Sequence, residues 1–344
     1  MGTVLLSSNV NKSSQKMTGE PSPCHHLEEH TLKILIIGGT YFLGKAFAEV
    51  LTEQNKIQTE IYLLNRGNRL PENTDAFGGL YIMDRHDEEK LSGITECFDV
   101  IVDFCAYRAG DIETILKYVK TKHYIFVSTT DVYKRGTGQL LDEKAEYEDR
   151  DFGGTVGQYI LGKVSLEKEM LRLAALNKDT FFTSLRPVFI YGPGNYAPRE
   201  SMYFKWMLGA DQILHPSDSD GCFQMVYVKD AANAIWLVIN HALPGQQNNL
   251  SNYNVFNICD NALFNYDKYA DLMNSVAKTC LGKEIEKVEI PVSEVMERGI
   301  PLPFPLTKAT SERYSGERLK ALGFAATEPE KAMEETFADY INLA

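Results

Sequence analysis

The sequence of 344 residues has few cysteines, no excess of basic residues and no long apolar run. No two cysteines form a CxxC pair, so we interpret them as reduced thiols rather than a disulfide framework or a zinc site. The longest apolar runs have the length of a strand, so no segment is predicted to span a membrane. The first residues lack the pattern of a secretory signal. These absences together predict a cytoplasmic protein.

The charge balance is acidic, with a net charge of −12 and a sequence pI near 5.2. An acidic surface repels phosphodiester backbones, and the sequence contains no basic patch that would overcome this repulsion. Nucleic acid is therefore not an expected partner. A single anionic cofactor remains possible, because a helix N-terminus or one arginine acts only over a short distance.

Residues 1–30 are rich in Ser, Asn, Lys, Pro and His and show no hydrophobic periodicity, which predicts a disordered tail. Cys24, His25, His26 and His30 lie within it. No second group of metal-ligating residues completes a coordination shell with them, so we expect a solvated tail and no metal site.

From Leu32 onward, short apolar runs alternate with helical patterns. Strands are predicted at 32–37, 60–67, 79–84, 99–104, 123–128, 180–191 and 254–259, and helices at 43–54, 111–120 and 157–176. This alternation is typical of βαβ units and predicts an α/β fold with a doubly wound parallel sheet of the Rossmann type. The predicted Rossmann domain covers 31–191, with further strands at about 224–228 and 254–259. A smaller C-terminal substrate-binding lobe is predicted from 192–223 and 260–344.

A glycine-rich loop follows the first strand and leads directly into the first helix. Its residues are Gly38, Gly39, Thr40, Tyr41, Phe42, Leu43 and Gly44. Gly38 permits a tight turn and Gly44 permits close packing of the helix on the sheet, so that backbone N–H groups can hold a pyrophosphate. Tyr41 replaces the middle glycine of the usual pattern. We predict that this loop binds a dinucleotide.

The end of the second strand indicates which dinucleotide is bound. NAD-binding sites usually place an acidic residue there to hold the ribose hydroxyls. Here the strand ends in Asn65, Arg66 and Gly67. Because an arginine suits a 2′-phosphate, NADP is favoured over NAD, while an exposed loop arginine is the alternative. Asp84, after the third strand, is positioned to accept a hydrogen bond from the adenine amino group.

Tyr159 and Lys163 are four residues apart in the long predicted helix and therefore share one face of it. A nearby ammonium favours the phenolate, which predicts a lowered pKa for a tyrosine that exchanges a proton with a substrate hydroxyl. Tyr118 and Lys122 have the same spacing. Only Tyr159 follows the fifth strand, whose end carries the hydroxyls of Ser128, Thr129 and Thr130.

These motifs occur in the order found in extended short-chain dehydrogenases. The resemblance rests on the glycine loop, the segments Ser128–Tyr133 and Tyr159–Lys163, and the stretch RPVFIYGPG at 186–194. It covers residues 32–240 and, more loosely, the rest of the chain. The stretches at 103–107 and 224–230 resemble the NAD-dependent epimerase/dehydratase branch, whose neighbourhood includes chloroplast stem-loop-binding proteins.

The resemblance implies a role for several residues of the site. Thr129 would be the catalytic hydroxyl, with Thr130 as the substitute. Tyr159 would be the acid/base. Lys163 would bind the nicotinamide ribose and tune Tyr159, and Pro187 would lie beside the nicotinamide.

The resemblance also bears on the substrate. Asn195 and Arg199 would contact it. Gln224 stands where many enzymes that act on sugar nucleotides carry a phosphate-binding arginine. Sugar dehydratases follow the catalytic threonine with Asp-Glu, whereas this chain has Thr130 and Asp131, so dehydration is disfavoured. The alternative role of Asp131 is that of a cap or turn residue.

We therefore predict an NAD(P)-dependent epimerase or reductase of a sugar nucleotide or related small molecule. The first alternative is an oxidoreductase of another metabolite. The second is a cofactor-binding regulatory or RNA-associated protein with the same fold. Homodimerisation through the helices at 111–120 and 157–176 is implied by the family only.

Overall fold

The computed structural model describes residues 31–53, 59–71, 73–243 and 251–343. The strands are β1 Leu32–Ile37, β2 Thr59–Asn65, β3 Gly79–Ile82, β4 Cys97–Asp103, β5 Lys120–Val127, β6 Leu140–Leu141, β7 Phe181–Pro187, β8 Phe189–Tyr191, β9 Gln212–Pro216, β10 Met225–Tyr227, β11 Tyr253–Ile258, β12 Glu286–Ile290 and β13 Arg313–Tyr314. The helices are α1 Phe42–Glu53, α2 Glu88–Leu91, α3 Asp111–Tyr118, α4 Gly154–Leu176, α5 Glu200–Ala210, α6 Val228–Ala242, α7 Tyr266–Leu281, α8 Val292–Glu297, α9 Glu317–Lys320 and α10 Pro329–Leu343. The predicted tail, 1–30, lies outside the described residues.

The central sheet has seven parallel strands in the order β11-β7-β5-β4-β1-β2-β3. This arrangement confirms the predicted α/β fold. Residues of β1 alternate between two apolar cores. Ile34 and Ile36 belong to the core that contains α1 and α6, while Leu35 and Ile37 belong to the core that contains α3 and α4. Helices therefore cover both faces, which explains why the strands are apolar on both sides.

The predicted strand at 180–191 is interrupted in the structure. β7 ends at Pro187, which has no N–H to donate to a neighbouring strand. The Val188 N–H still donates to the Ile258 carbonyl of β11 at 3.2 Å. The chain leaves the central sheet after this residue, and β8 pairs with β10 in a separate two-stranded sheet. The predicted strand near 224–228 therefore lies outside the central sheet. β11, by contrast, joins the central sheet beside β7, as expected.

The C-terminal part of the chain packs around an aromatic cluster. Its centre is the stacked pair Phe223 and Phe304, with ring centroids 3.8 Å apart, and Tyr269 meets both rings edge-on. Residues 31–344 nevertheless cluster as one unit. The division into a cofactor domain and a substrate lobe stays a prediction. None of the helices in the described ranges is long and apolar enough to cross a membrane.

Candidate functional site

The glycine loop lies where β1 meets α1, at the carboxyl end of the sheet. Gly38 has a φ of +89°, and a Cβ there would lie 2.2 Å from the Cys105 sulfur. A Cβ on Gly44 would lie 2.3 Å from the Gly38 carbonyl oxygen. Both positions therefore require glycine, the first for conformation and space and the second for space alone. The loop has the tight turn and the close helix approach that a pyrophosphate-binding loop needs.

Gly39 and Phe42, two other residues of the loop, have structural roles. Gly39 faces the core, because a Cβ there would lie 2.8 Å from side-chain atoms of both Ile36 and Leu63. Phe42 is one of two described non-glycine residues with positive φ, at 42°. A left-handed conformation is costly for an aromatic residue, so the surrounding loop must hold it.

Two cavities meet at this loop. The first, about 580 Å³, is lined by residues 41–44 of the loop together with Thr129, Tyr159 and Lys163. The second, about 750 Å³, is lined by Thr40, by the turn after β2 and by the segment after β3. Gly38, Tyr41, Cys105 and Tyr107 line both. The cavities are therefore adjacent parts of one cleft, with the glycine loop between them, and their residues fit an extended dinucleotide.

The side chain of Tyr41 points away from the loop backbone. Its ring stacks on Tyr196, with centroids 5.6 Å apart and an interplanar angle of 27°. The guanidinium of Arg69 lies over the Tyr41 ring, 4.1 Å from its centroid. The replacement of the middle glycine by tyrosine thus places a ring in the cleft between the two cavities. No motif indicated these contacts.

The turn after β2 is stabilised by its own side chain. Asn65 Oδ1 accepts a hydrogen bond from the Gly67 N–H at 2.8 Å, so this oxygen is used within the turn. Arg66 is exposed and lines the second cavity together with Arg69. The predicted cation therefore borders the predicted adenosine half of the cleft.

Asp84 also borders this cavity, but its carboxylate has a partner. Oδ1 accepts from the His86 N–H at 2.9 Å and lies 2.9 Å from His86 Nδ1, while His86 Nε2 lies 2.9 Å from Asp111 Oδ1. The His86 backbone N–H lowers the pKa of Asp84, with the His86 ring second. Asp84 is thus a fixed carboxylate at the cavity wall, and its predicted bond to adenine stays a prediction.

A buried carboxylate that no motif predicted lies at the end of β4. Asp103 is fully buried and accepts hydrogen bonds from both terminal nitrogens of Arg85, at 2.9 and 2.8 Å. It also accepts from Tyr124 Oη at 2.5 Å and from the Cys105 N–H at 2.8 Å. Four donors hold the chain as it leaves β4, which fixes Cys105 against Gly38. The sequence feature that could have indicated Asp103 is an acidic residue at the end of an apolar strand.

The structure brings Thr129, Tyr159 and Lys163 together in the first cavity. Lys163 is 2% exposed, and its ammonium donates to the Val127 carbonyl at 2.9 Å. Its Nζ lies 6.0 Å from the centroid of the Tyr159 ring and 4.8 Å from that of Tyr107. Thr129 is 8% exposed and lines the same cavity wall as Tyr159. The three side chains therefore form one polar group on the cavity wall.

The expected lowering of the Tyr159 pKa is wrong for the protein without a ligand. Tyr159 is 37% exposed, but its phenol lies in the cleft, where desolvation raises this pKa above its usual value. The Asp131 carboxylate raises it further, and the nearby Thr129 hydroxyl opposes the rise. Burial lowers the pKa of Lys163 to about 8, against the opposing effect of Asp103. The ammonium is held by a carbonyl and aromatic faces, and desolvation rather than its charge dominates at Tyr159.

The residues next to Thr129 are engaged as well. Thr130 Oγ1 donates to the carbonyl of Pro187 at 3.3 Å, which ties the end of β5 to the end of β7. The Asp131 carboxylate forms an ion pair with Arg135 and also accepts from Thr129 Oγ1 at 3.3 Å. Pro187 lines the same cavity as Thr129.

Asn195 and Arg199, the residues predicted to contact the substrate, differ in whether their polar groups are already hydrogen-bonded within the protein. Asn195 uses its amide nitrogen on Glu200, at 2.9 and 3.0 Å, and its oxygen on the Ala197 N–H at 3.0 Å. Arg199 lies over Phe189 at the cavity wall, and its nearest hydrogen-bond acceptor is the Ile190 carbonyl at 3.4 Å. Arg199 thus lines the cavity without an ion-pair partner at contact distance in the described part of the chain, although the charge of the adjacent Glu200 partly offsets its own.

Gln224 is a structural residue in this site. It is 3% exposed, and its amide nitrogen donates to the carbonyls of Asp260 and Tyr314 at 2.8 and 2.9 Å. Tyr314 and Glu312 enter the cavity wall from the C-terminal part of the chain. No motif indicated them, because their proximity to Thr129 depends on the tertiary fold.

The arginine of the RPVFIYGPG stretch lies outside the cavity. Arg186 is 1% exposed and forms two hydrogen bonds of 2.8 Å with Glu167, which is fully buried one turn beyond Lys163 in α4. This pair joins β7 to the helix that carries Tyr159 and Lys163. It therefore positions the site without belonging to it.

In the described ranges, no three or more His, Cys, Asp or Glu residues are grouped so that they could hold a metal ion. Cys105 lines the cleft, but burial raises the pKa of its thiol to about 11. The site chemistry available in this part of the chain is thus that of hydroxyls, phenols, an ammonium and carboxylates.

The chain is similar to known proteins in sequence and in fold. Residues 112–259 match the NAD dependent epimerase/dehydratase family. The chain is 29% identical over 253 residues to the chloroplast stem-loop binding protein of 41 kDa b from Arabidopsis thaliana. This alignment covers 69% of the present chain and 61% of the relative, so it spans less than two thirds of the relative's length.

Solved structures share the fold at low sequence identity. UDP-glucose 4-epimerase from Thermotoga maritima is 19% identical with a TM-score of 0.68, over 91% of this chain and 99% of that one. UDP-glucuronic acid 4-epimerase from Bacillus cereus, solved with UDP-glucuronic acid and NAD, is 16% identical with a TM-score of 0.66, over 91% and 100%. The family match and the shared fold confirm the resemblance to the NAD-dependent epimerase/dehydratase family that the sequence motifs predict.

Proposed function

We propose that this protein is an NAD(P)-dependent epimerase or reductase of a sugar nucleotide or related small molecule. The observation that carries the proposal is the position of Thr129, Tyr159 and Lys163 in one cavity that continues past the glycine loop into a second cavity. A protein that only binds its cofactor has no need for a phenol, a hydroxyl and a buried ammonium at this place.

The side chains support the following division of work. Oxidation of a secondary alcohol removes a proton from oxygen and a hydride from carbon, and a bound dinucleotide supplies the hydride chemistry. Tyr159 exchanges the proton with the substrate oxygen, and Thr129 hydrogen-bonds to the same oxygen. Lys163 places a positive charge near them, which favours the phenolate and so opposes the effect of desolvation on the pKa of Tyr159.

NADP is proposed as the cofactor in preference to NAD. Arg66 and Arg69 line the second cavity, and a guanidinium can pair with phosphate oxygens through two hydrogen bonds. The solved neighbour from Bacillus cereus is a complex with NAD, so the proposed preference for NADP rests on the arginines of this chain.

The substrate class is proposed from the neighbours and from the cavity. Two neighbours are named as epimerases of UDP-sugars. Because Gln224 is fully engaged with backbone groups, a substrate phosphate would have to use other cations, and Arg199 is the best placed. Epimerisation or reduction is favoured over dehydration, since Thr130 replaces one expected carboxylic acid and Arg135 neutralises Asp131.

A substrate panel tests this proposal. The purified protein would be incubated with NAD or NADP and a series of UDP-sugars, and products would be followed by the absorbance of the reduced nicotinamide and by chromatography. We expect conversion of at least one UDP-sugar. Turnover of a simple ketone or alcohol with none of the UDP-sugars would favour the alternative, an oxidoreductase of another metabolite.

A second candidate function comes from the Arabidopsis relative, whose name describes stem-loop binding. The net charge of −12 opposes it, because binding to a phosphate backbone depends on cationic contacts. We expect RNA stem-loops to bind at physiological salt no better than they bind an unrelated acidic protein. A sub-micromolar complex whose affinity falls steeply with salt would instead support the RNA-associated function.

We also propose that the protein is located in the cytoplasm and forms a homodimer through α3 and α4. Widely spaced cysteines support a reducing compartment. Gel filtration with light scattering would test the dimer, for which a monomer at all concentrations is the contrary result.

A further inference from the structure

Three side chains form a continuous stack across the junction of the two cavities. Arg69 lies over one face of the Tyr41 ring, 4.1 Å from the centroid, and Tyr196 stacks against the same ring with centroids 5.6 Å apart. Phe42 meets Tyr196 edge-on at 5.8 Å. We call Arg69, Tyr41 and Tyr196 the clasp. Its contacts are of the kind that aromatic rings and guanidinium groups prefer.

The members of the clasp come from three parts of the fold. Arg69 follows β2 and lines the second cavity, while Tyr41 belongs to the glycine loop and lines both cavities. Tyr196 lies between β8 and α5 and lines the first cavity. A dinucleotide that occupies both cavities must therefore pass the clasp.

The segment that presents Tyr196 is well anchored although the ring itself is 69% exposed. Its neighbour Asn195 bonds to both carboxylate oxygens of Glu200 and accepts from the Ala197 N–H. The ring is thus held at the cleft by an ordered loop.

We infer that Tyr196 and Arg69 are cofactor-retaining residues, which hold the Tyr41 ring over the dinucleotide and slow its release. This inference rests on the proposed function, since it requires that a dinucleotide occupy the cleft. If position 41 were glycine, as in the usual pattern of this loop, no aromatic ring would narrow the junction between the two cavities. Slow release suits a reaction that returns the cofactor to its starting redox state, because no exchange is then needed between turnovers.

The rate of cofactor dissociation tests the inference without any substrate. NADPH and NADH would be titrated against the full chain by fluorescence, and release of the tighter one would be followed by stopped flow. We expect Tyr196→Ala to release it roughly ten times faster, since the variant loses one stacking contact of the clasp. Arg69→Ala should release NADH roughly ten times faster, and this cofactor is used for that variant because it has no 2′-phosphate that Arg69 could bind. Tyr196→Phe keeps the ring and should match the wild type.

Phe152→Ala is the matched control. Its ring is also exposed and lies near two guanidinium groups, those of Arg135 and Arg150, but it lines neither cavity. Its release rate should equal that of the wild type.

The outcomes separate the two proposals. Binding to the wild type with an unchanged release rate in Tyr196→Ala would overturn the clasp alone. Equal acceleration in Tyr196→Phe and Tyr196→Ala would also overturn it, because the hydroxyl and not the stacked ring would then matter. Failure of both dinucleotides to bind the wild type would remove the proposed function, and the clasp with it.

Discussion

Gln224 bonds to both backbone polar groups of Tyr314. Its Oε1 accepts from the Tyr314 N–H at 2.7 Å, and its Nε2 donates to the Tyr314 carbonyl at 2.9 Å. The same nitrogen donates to Asp260. A residue at the position of a family phosphate ligand therefore holds the C-terminal segment in the wall of the cavity.

Gln224→Leu should destabilise the protein by about 2–4 kcal/mol, because three hydrogen bonds are lost and buried backbone groups are left without partners. Urea unfolding would measure the change. Gln139→Leu, at an exposed position, should alter stability by no more than about 0.5 kcal/mol. A loss below about 1 kcal/mol for Gln224→Leu would mean that water replaces the amide.

Tyr159→Phe should lower turnover by a factor of roughly 10² or more, the usual effect of losing a general acid/base. Cofactor affinity and thermal stability should stay nearly constant. Initial rates on the substrate identified by the UDP-sugar panel would show the effect. Tyr118→Phe is the control with the same tyrosine–lysine spacing, and its turnover should match the wild type. Normal turnover in Tyr159→Phe would remove this residue from the mechanism.

Arg66→Ala should abolish most of a preference for NADPH over NADH. A partly solvated contact between guanidinium and phosphate contributes roughly 1.5–3 kcal/mol, or about ten- to a hundredfold in affinity. NADH affinity should hardly change. Both cofactors would be titrated against both proteins, with Arg172→Ala as a control because Arg172 pairs with Glu113 outside both cavities. Equal affinities in the wild type would refute the NADP assignment.

Gly44→Ala should weaken binding of either dinucleotide strongly, because the new methyl group would lie 2.3 Å from the Gly38 carbonyl oxygen and displace the loop. Gly209→Ala is the matched control in α5, where a Cβ meets no heavy atom within 4 Å. It should stabilise the protein by about 0.5–1 kcal/mol. Normal cofactor titration of Gly44→Ala would show that the loop does not form the binding site.

His123 should make stability depend on pH. Burial lowers the pKa of this ring from 6.5 to about 4, so the unfolded chain binds its proton more readily than the folded protein does. Stability therefore falls as the pH drops from about 6.5 to about 4, by an amount on the order of 3 kcal/mol. In His123→Gln the carboxylates are unchanged and this component disappears. Urea unfolding between pH 4 and 7 should give a shallower slope for the variant, and identical slopes would contradict the expectation.

The sequence by itself determined the parts of the protein that depend on local order. Apolar runs that alternate with helical patterns specify the parallel sheet, since buried strands and amphipathic helices follow from spacing alone. The glycine loop and the pair Tyr159 and Lys163 could be placed for the same reason, because a turn and one helix face are local properties. The end of β7 is also a local property, because Pro187 in the sequence is sufficient to predict it.

Tertiary structure decided everything that depends on residues distant in the chain. The stack of Tyr41 on Tyr196, the bonds of Gln224 to Tyr314 and the pairing of Asp103 with Arg85 join segments with no common motif. It also decided the state of Tyr159. The sequence puts an ammonium four residues away, but the pKa depends on how much water the fold removes and on where Asp131 lies, and desolvation outweighs a charge held 6.0 Å from the ring.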